Sequence, residues 1–240
     1  MLGHRVLAGS RQAVLIRVGD RLAGRAKTHI VTLNSEMVVA ARRDPTFKRV
    51  LEQAELVIPD GIGVVWAARF LRRARMGRIP GIELAEDVLK LAQRTGARVY
   101  LLGAREAVNI RAVECILEEY PGIVVAGSHH GYFQGHEELV IEDIIASKPD
   151  ILLVGMGSPA QEFFIANARI RLPAVVMMGV GGSFDIWAGY RRRASRWVQS
   201  AGLEWLYRTL TDFGRIRRLA FIPTFVWLVL SAKLTGRSLA

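Results

Sequence analysis

The sequence predicts an α/β fold, in which a Rossmann-like, mostly parallel sheet carries helices on both faces and is followed by a basic, apolar C-terminal helical appendage. Three observations predict it. Short apolar runs recur along the chain, helical patterns separate most of them, and the residues from 190 onward are far more basic than the rest. Strands that are apolar along their whole length and are separated by helices are typical of a parallel sheet buried on both faces.

The apolar runs are rich in Val, Ile and Leu, and each has the length of one strand. They predict strands at 29–33, 56–58, 98–102, 123–126, 150–154 and 174–178. Helical spacing of apolar residues predicts helices at 35–54, 61–71, 83–94, 107–120, 137–147 and 159–169. We expect one α/β domain over 1–195 and the C-terminal helical appendage over 196–240.

The composition excludes several classes of protein. The 240 residues are 51% hydrophobic and 23% charged, which excludes a disordered chain, and one cysteine excludes a disulfide-rich scaffold. A single cysteine also fits a reducing compartment. No apolar run with a cleavage-site pattern marks a secretory leader.

The net charge of +11 is concentrated in the C-terminal part of the chain. Residues 190–240 hold ten basic and two acidic side chains, whereas residues 1–189 hold 23 and 20. This asymmetry indicates a polyanionic partner: a nucleic acid, an anionic membrane surface or phosphate groups. The longest late uncharged stretch, 219–232, is shorter than the roughly 20 residues that a membrane-spanning helix needs.

Glycine-rich turns follow three of the predicted strands, at 103–105, 155–157 and 179–182. Ligands of parallel sheets bind where strands end and the chain turns into the next helix. Glycine lets backbone N–H groups come close to a ligand, and a helix N-terminus favours negative charge. Tight turns of any α/β protein use glycine too, but three in succession favour a phosphorylated ligand.

The familiar nucleotide and metal motifs are missing. The chain has no P-loop, no Gly-x-Gly-x-x-Gly after the first strand, and no Asp-x-Asp pair that would hold a metal-bound nucleotide diphosphate. The adjacent His129 and His130 lack a nearby cysteine and a helical i, i+4 partner. We therefore predict no metal site.

Asp60 is the carboxylate of greatest interest, because it follows a predicted strand and precedes Gly61 at the mouth of the expected cleft. A carboxylate against an apolar wall can act as a general base. Aspartate is also a good N-cap, here for a helix that starts at Ile62. Asn34 and Ser35 leave the same two interpretations open.

In their order along the chain, these turns resemble the WecG/TagA/CpsF family of bacterial glycosyltransferases (glycosyltransferase family 26). The resemblance covers residues 29–207 and rests on eight motifs. They are Thr32-x-Asn34-x-Glu36, the block 54–67 around Pro59-Asp60-Gly61, Arg78-x-Pro80-Gly81, Leu101-Leu102-Gly103-Ala104, His130-Gly131-Tyr132-Phe133, Gly155-x-Gly157-x-Pro159-x-Gln161-Glu162, Gly179-Val180-Gly181-Gly182-x-Phe184-Asp185 and Gly202-Leu203-Glu204-Trp205.

The resemblance implies an inverting, metal-independent glycosyltransferase. Such an enzyme moves an N-acetylmannosamine-type sugar from a UDP-sugar donor to a polyprenyl-diphosphate-linked N-acetylglucosamine acceptor. The product feeds cell-surface polysaccharide or teichoic acid synthesis. The resemblance implies no cofactor, since the UDP-sugar is a substrate.

The resemblance also implies roles for individual residues. Asp60 is the expected general base. Thr32 and Asn34 are expected beside the acceptor and donor sugars, and Gln161 is expected to line the pocket and to complete the catalytic group. Tyr132 and Asp185 are expected near the nucleoside. We assign the rest of the nucleotide-sugar site to the glycine turns, through Gly103, Ala104, Arg105, Gly155, Gly157, Gly181 and Gly182.

Positive charge for the departing UDP must come from turn N–H groups, helix N-termini and arginines. We expect Arg78 in the body and Arg215 and Arg218 in the tail to serve the acceptor and the leaving group. The two tail arginines precede an apolar, aromatic stretch, a pattern typical of a helix lying in the membrane interface. Together with the lipid-linked acceptor that the resemblance implies, this pattern predicts a peripheral, monotopic protein on the anionic surface of the cytoplasmic face of the cell membrane. A final helix packed on the body or in an oligomer interface is the alternative.

Two other functions are weighed against the glycosyltransferase. A net charge of +11 also fits a non-catalytic nucleic-acid- or nucleotide-binding protein, but the charge lies in the tail rather than on a face with stacking aromatic residues. The sheet alone also fits a nucleotide-dependent oxidoreductase, against which the missing dinucleotide motif argues. We predict no nucleic-acid partner and leave a homo-oligomer open.

Overall fold

The computed structural model describes residues 3–71, 76–195, 197–198, 206–207 and 220–235. The strands are β1 (Thr28–Leu33), β2 (Leu56–Pro59), β3 (Arg98–Gly103), β4 (Val124–His129), β5 (Ile151–Gly155) and β6 (Val176–Gly179). The helices of these described ranges are α1 (Arg11–Ala23), α2 (Ser35–Arg43), α3 (Pro45–Glu52), α4 (Ile62–Phe70), α5 (Gly81–Thr95), α6 (Glu106–Glu119), α7 (Glu137–Ser147), α8 (Ala160–Ala168), α9 (Ser183–Trp187) and α10 (Phe221–Thr235).

The six strands form one parallel sheet in the order β2-β1-β6-β5-β3-β4. Alternate side chains of each strand enter cores on opposite faces. In β3, Val99 and Leu101 pack with α1, α5 and α6, whereas Tyr100 and Leu102 pack with α7 and α8. The predicted Rossmann-like α/β sheet with helices on both faces is confirmed.

The predicted helix at 35–54 is wrong in one respect, because two helices occupy it. Asp44 ends α2 and begins α3, and its Oδ1 accepts hydrogen bonds from the backbone N–H groups of Thr46 and Phe47 at 2.8 and 3.1 Å. Pro45 then fills the first position of α3, where its missing N–H costs nothing. The Asp44-Pro45 pair inside the apolar helical pattern was therefore the sequence signal that the helix is interrupted there.

Two further differences concern a helix before the first strand and the length of the edge strand β4. Helix α1 was not predicted, although Ser10 caps it and the buried Val14, Val18 and Leu22 follow helical spacing. Strand β4 continues to His129, beyond the predicted end at 126, because backbone pairing with β3 persists after the apolar run stops. Edge strands need apolar residues less than central ones, so the hydropathy pattern underestimated its length.

The connections place the carboxyl ends of β3 and β5 at a topological switch point. The chain leaves β3 toward the β4 edge of the sheet and leaves β5 toward β6, in the opposite direction. The helices after these two strands therefore diverge and leave a crevice between them. Gly103 and Gly155, the last residues of the two strands, are paired in register at this crevice.

Helix α10 packs on the body of the protein through one face. Phe225, Leu228, Val229 and Ala232 are buried in the core that contains α2, α3 and α4. The described part of the tail thus agrees with the predicted helical appendage, while the domain boundary at 195/196 stays a prediction. Within the described residues, no helix combines the length and apolarity needed to cross a bilayer.

A buried histidine gives the fold a dependence on pH. His29 of β1 is 1% exposed, and its Nε2 has no hydrogen-bond partner among the described residues. Burial, with a smaller contribution from the Arg169 charge, lowers the pKa of His29 from 6.5 to about 4. The unfolded chain therefore takes up a proton at a higher pH than the folded protein does. Stability from this group is complete above pH 6.5 and is lost as the pH falls toward 4.

We expect acidification from pH 7.5 to pH 5 to lower the free energy of unfolding by about 2 kcal/mol through His29 alone. Urea unfolding of the wild type and of His29→Asn at both pH values measures this contribution. The variant should lose less stability than the wild type over the same interval. The exposed His136, changed to Asn, is the control and should keep the wild-type dependence. Equal pH dependence in His29→Asn and the wild type would contradict the assignment.

Candidate active site

A cavity of about 790 Å³ lies at the carboxyl ends of the strands. This volume is in the range of small-molecule binding sites. The predicted site residues that line it are Thr32, Asn34, Asp60, Arg78, Ala104, Arg105, Tyr132, Gly155, Gly157, Gln161, Gly181, Gly182 and Asp185. Residues that were predicted from separate segments of the sequence are thus brought together in one space.

Asp60 lies between β2 and α4 with its side chain 27% exposed to the cavity side. The N-cap of α4 is Gly61, and no side chain caps that helix, so the capping role considered for Asp60 is not what the structure has. Arg78 accompanies the aspartate: its Nε donates to the Asp60 carbonyl at 2.6 Å, and its Nη2 is 3.7 Å from Oδ1. A carboxylate and a guanidinium therefore share this wall of the cavity.

Asn34 combines a structural contact with a place in the cavity wall. Its Oδ1 accepts the Met37 N–H at 3.0 Å and so caps α2, which was one of the two interpretations of the sequence. A Cβ at Gly61 would lie 3.1 Å from the Asn34 Cα, and a Cβ at Gly81 would lie 3.1 Å from Thr32 Oγ1. Because both glycines lack a side chain, the segments that carry Thr32, Asn34 and Asp60 approach closely.

Gln161 is held by hydrogen bonds at both ends of its amide. Its Nε2 donates to Glu162 Oε1 at 2.7 Å, and its Oε1 accepts the Gly181 N–H at 3.0 Å. The Gly181 N–H is therefore used within the protein, in contrast to the expectation that the N–H groups of the glycine turns face the ligand. Gly179 packs directly on this pair, since a Cβ there would lie 2.4 Å from Gln161 Nε2.

Glu162 is a residue of this region that the sequence interpretation did not single out. It is 1% exposed, and its Oε2 makes no hydrogen bond of normal geometry within the described residues. Burial raises the pKa of this carboxyl, and hydrogen bonds from Gln161 and Ser158 oppose the rise. The Glu162 carboxyl fixes the orientation of the Gln161 amide. Its position directly after the glutamine in the Pro-x-Gln-Glu motif was the sequence feature that could have identified it.

Among the predicted site residues that the structure describes, Gly103 is the one that does not line the cavity. It has a φ of +142°, and a Cβ on it would lie 2.5 Å from the Gly155 carbonyl oxygen. The next residue, Ala104, lines the cavity with a left-handed φ of 59°. Its N–H donates to the Gly155 carbonyl at 3.0 Å, so the strained turn is tied to the neighbouring strand.

Glu36, Tyr190 and Arg191 are among the lining residues that were not predicted as site residues. Glu36 belongs to the Thr32-x-Asn34-x-Glu36 motif, which was a signal for it. Tyr190 and Arg191 follow α9, and the Arg191 N–H donates to the Asp185 carbonyl at 2.9 Å, which turns the chain back toward the cavity. The hydropathy pattern of the sequence does not predict that the chain comes back to the cavity after α9.

Some predictions fall outside the described residues, namely those on Arg215, on Arg218 and on the motif 202–205. In the described part of the chain, no three His, Cys, Asp or Glu side chains come together as a potential metal site. The rings of His129 and His130 are in contact at a tilt of 43° with centroids 4.4 Å apart, and His130 Nδ1 accepts a hydrogen bond from the Tyr132 N–H at 3.2 Å.

Comparison with known proteins agrees with the resemblance found in the motifs. The sequence model of the glycosyl transferase WecG/TagA/CpsF family matches residues 1–239. Curated relatives from Staphylococcus aureus strains MRSA252, NCTC 8325 / PS 47 and COL are each 40% identical over 204 residues, which is 85% of this chain and 80% of the relative. Each is named N-acetylglucosaminyldiphosphoundecaprenol N-acetyl-beta-D-mannosaminyltransferase.

The cavity floor depends on Gly155, and this dependence can be tested. A Cβ there would lie 2.4 Å from the Phe184 ring and 2.9 Å from the Gly181 carbonyl oxygen. We expect Gly155→Ala to lower the free energy of unfolding by about 1–3 kcal/mol, because the buried ring and the turn must shift. Gly77→Ala is the matched control, since no heavy atom lies within 4 Å of its added Cβ. Urea unfolding measures both, and equal stabilities would contradict this account.

Proposed function

The chain belongs to the WecG/TagA/CpsF family of glycosyl transferases, and we propose that it transfers an N-acetylmannosamine-type sugar from a UDP-sugar to a polyprenyl-diphosphate-linked N-acetylglucosamine. It is a glycosyltransferase, which sets aside the oxidoreductase that the sheet alone left open. The names of the relatives, which specify both the mannosaminyl group and the lipid-linked acceptor, support the finer statement.

The observation that carries this proposal is the convergence of the polar residues on one cavity. Thr32, Asn34, Asp60, Arg78 and Gln161 come from four segments between residues 32 and 161, and all of them line it. A sugar-transfer site needs a base, neighbouring hydrogen-bonding groups and positive charge in one space. The cavity walls supply each of these types.

Asp60 is the base in the proposed reaction. An acceptor hydroxyl attacks the anomeric carbon of the donor sugar and gives its proton to the Asp60 carboxylate. The new bond joins the acceptor oxygen to that carbon, while the bond from the carbon to the diphosphate oxygen breaks and its electron pair leaves with UDP. Attack from the face opposite the leaving group inverts the anomeric configuration. Thr32 and Asn34, next to Asp60, would hold the two sugars.

The departing UDP needs positive charge, and arginines in the described cavity wall can provide it. Arg78, Arg105 and Arg191 line the cavity. Helix α6 starts there with Arg105 as its N-cap and no side-chain cap on its first N–H groups, so its positive end also faces this region. These groups, with Arg215 and Arg218 of the tail, replace the Asp-x-Asp metal site that the sequence lacks. We propose that transfer requires no metal ion.

The nucleoside would bind between the two aromatic residues at the rim. Tyr132 and Tyr190 line the cavity and are largely exposed, so their rings are accessible for stacking. Asp185 lies in the same wall and can accept hydrogen bonds from the nucleoside. The lipid-linked acceptor would keep the protein peripheral, at the cytoplasmic face of the membrane.

The transfer can be tested directly with a water-soluble, short-chain polyprenyl-diphosphate N-acetylglucosamine and a panel of UDP-sugars. We expect mass spectrometry to detect a disaccharide product with UDP-N-acetylmannosamine, at a rate unchanged by EDTA. Product with another UDP-sugar alone would overturn the donor assignment. Loss of turnover in EDTA, with recovery on adding a divalent cation, would overturn metal independence.

Asp60→Asn tests the proposed base. Because an amide cannot accept the proton, we expect kcat to fall by about 10²–10⁴-fold while calorimetry still detects UDP binding. Asp20→Asn, a change of an exposed carboxylate on α1, is the control and should keep wild-type turnover. Near-normal turnover of Asp60→Asn would exclude Asp60 as the base.

A further inference from the structure

Helix α4 carries exposed apolar side chains on its outer face. Ile62, Trp66 and Phe70 recur at every fourth residue, so they lie along one side of the helix. Trp66 is 41% exposed, and its ring stacks on that of Phe70 with centroids 5.3 Å apart. Val64 and Ala67, on the inner face, already fill the core. The outer stripe is therefore not required for packing in the described part of the protein.

Helix α10 has the same arrangement. Its inner face is buried through the residues that pack on α2, yet Trp227 is 64% and Leu234 is 87% exposed. Trp227, Leu230 and Leu234 follow helical spacing on the side opposite the buried residues. A helix that is apolar on both sides while one side faces solvent calls for a second apolar contact.

The two helices lie side by side. A Cβ at Gly63 of α4 would be 3.3 Å from the Phe225 ring of α10. Near the other end, Lys233 Nζ donates to the Phe70 carbonyl at 3.1 Å and lies 5.5 Å from the centroid of its ring. Contacts at both ends mean that α4 and α10 run parallel and adjacent. We call the exposed residues Ile62, Trp66, Phe70, Trp227, Leu230 and Leu234 the docking face.

The charge of the surrounding sequence indicates what covers the docking face. Segments 61–82 and 213–240, which contain α4 and α10, hold ten of the 33 basic residues and none of the 22 acidic ones. Of these ten, Arg69 and Lys233 are described and exposed beside the apolar stripes, Arg78 lies in the cavity wall, and the other seven fall outside the described residues. Apolar and tryptophan side chains among basic residues match the interface of an anionic bilayer. A docking site for an ordinary protein partner would not require two segments without any acidic residue.

We propose that the docking face contacts the acyl and headgroup region of an anionic lipid bilayer. Helix α4 starts two residues after Asp60, so the same contact places the Asp60 wall of the cavity close to the leaflet. The benefit of this placement rests on the proposed function, because it is the lipid-linked acceptor that is brought close to Asp60. The membrane contact therefore comes from the sugar-transfer body through α4 as well as from the tail.

Vesicle binding of the full chain tests the proposal. Vesicles contain phosphatidylglycerol and phosphatidylcholine, or phosphatidylcholine alone, and binding is measured by co-sedimentation. We expect Trp66→Ser/Phe70→Ser to need at least tenfold more anionic lipid for half-binding than the wild type. Leu139→Ser is the matched control: Leu139 is 63% exposed on α7, beside β4 at the opposite edge of the sheet from β2. This control should bind as the wild type does.

A second readout separates docking from catalysis. With the water-soluble acceptor, the double variant should turn over at the wild-type rate, whereas with acceptor embedded in anionic vesicles its rate should fall at least tenfold. Failure of the wild type on the water-soluble acceptor would overturn the proposed function and leave vesicle binding as a separate result. Wild-type-like vesicle binding of the double variant would overturn the docking face. The docking face would also be overturned if the wild type formed a dimer that the double variant does not form, while the two proteins bound vesicles equally.

A conservative variant keeps the test valid if the double variant does not fold. Lipids brominated in the acyl chain quench tryptophan emission only at short range. Trp66→Phe preserves the apolar surface, so vesicle binding should persist while quenching by these lipids decreases relative to the wild type. Undiminished quenching in Trp66→Phe would show that Trp66 does not enter the bilayer and would overturn its place in the docking face.

Discussion

The site depends on close backbone contact where β3, β5 and β6 end. Gly103 and Gly155 are paired in register, and a side chain on Gly155 would overlap the Phe184 ring and the Gly181 carbonyl. Parallel strands are about 4.8 Å apart, so turns that leave neighbouring strand ends compete for the same volume. Glycine at these positions lets the turns lie against each other and form a continuous floor. The cavity exists because that volume is not filled by side chains.

Polar residues of the cavity wall also hold the protein together. Asn34 caps α2, Gln161 joins Glu162 to the Gly181 turn, and Arg78 binds the Asp60 carbonyl. Each contact fixes a side chain in one orientation before a ligand arrives, which lowers the entropic cost of ordering the site. The same contacts mean that substitutions here change stability together with activity.

The distribution of charged and apolar side chains fits the soluble donor and the lipid-linked acceptor of the proposed reaction. The cavity wall contains arginines and helix α6 begins there, whereas the docking face combines apolar side chains with basic segments. In the proposed reaction, the UDP-sugar enters from water into the cavity, whose described wall holds Arg78, Arg105 and Arg191 together with Glu36, Asp60 and Asp185. An acceptor held in the bilayer would reach the wall that contains Asp60. Two substrates of opposite solubility can thus meet without either leaving its own phase.

The sequence alone predicted the fold class, the order of the strands along the chain and half of the residues that line the cavity. Apolar runs report burial on both sheet faces, and strand-end motifs such as Pro59-Asp60-Gly61 remain local in the fold, so both can be recognised without coordinates. The three-dimensional structure was needed to establish that Gly103 supports the cavity without lining it and that the Gly181 N–H binds Gln161. It also decided that α10 lies parallel to α4. These facts depend on distances between segments far apart in the chain, which local periodicity and composition do not contain.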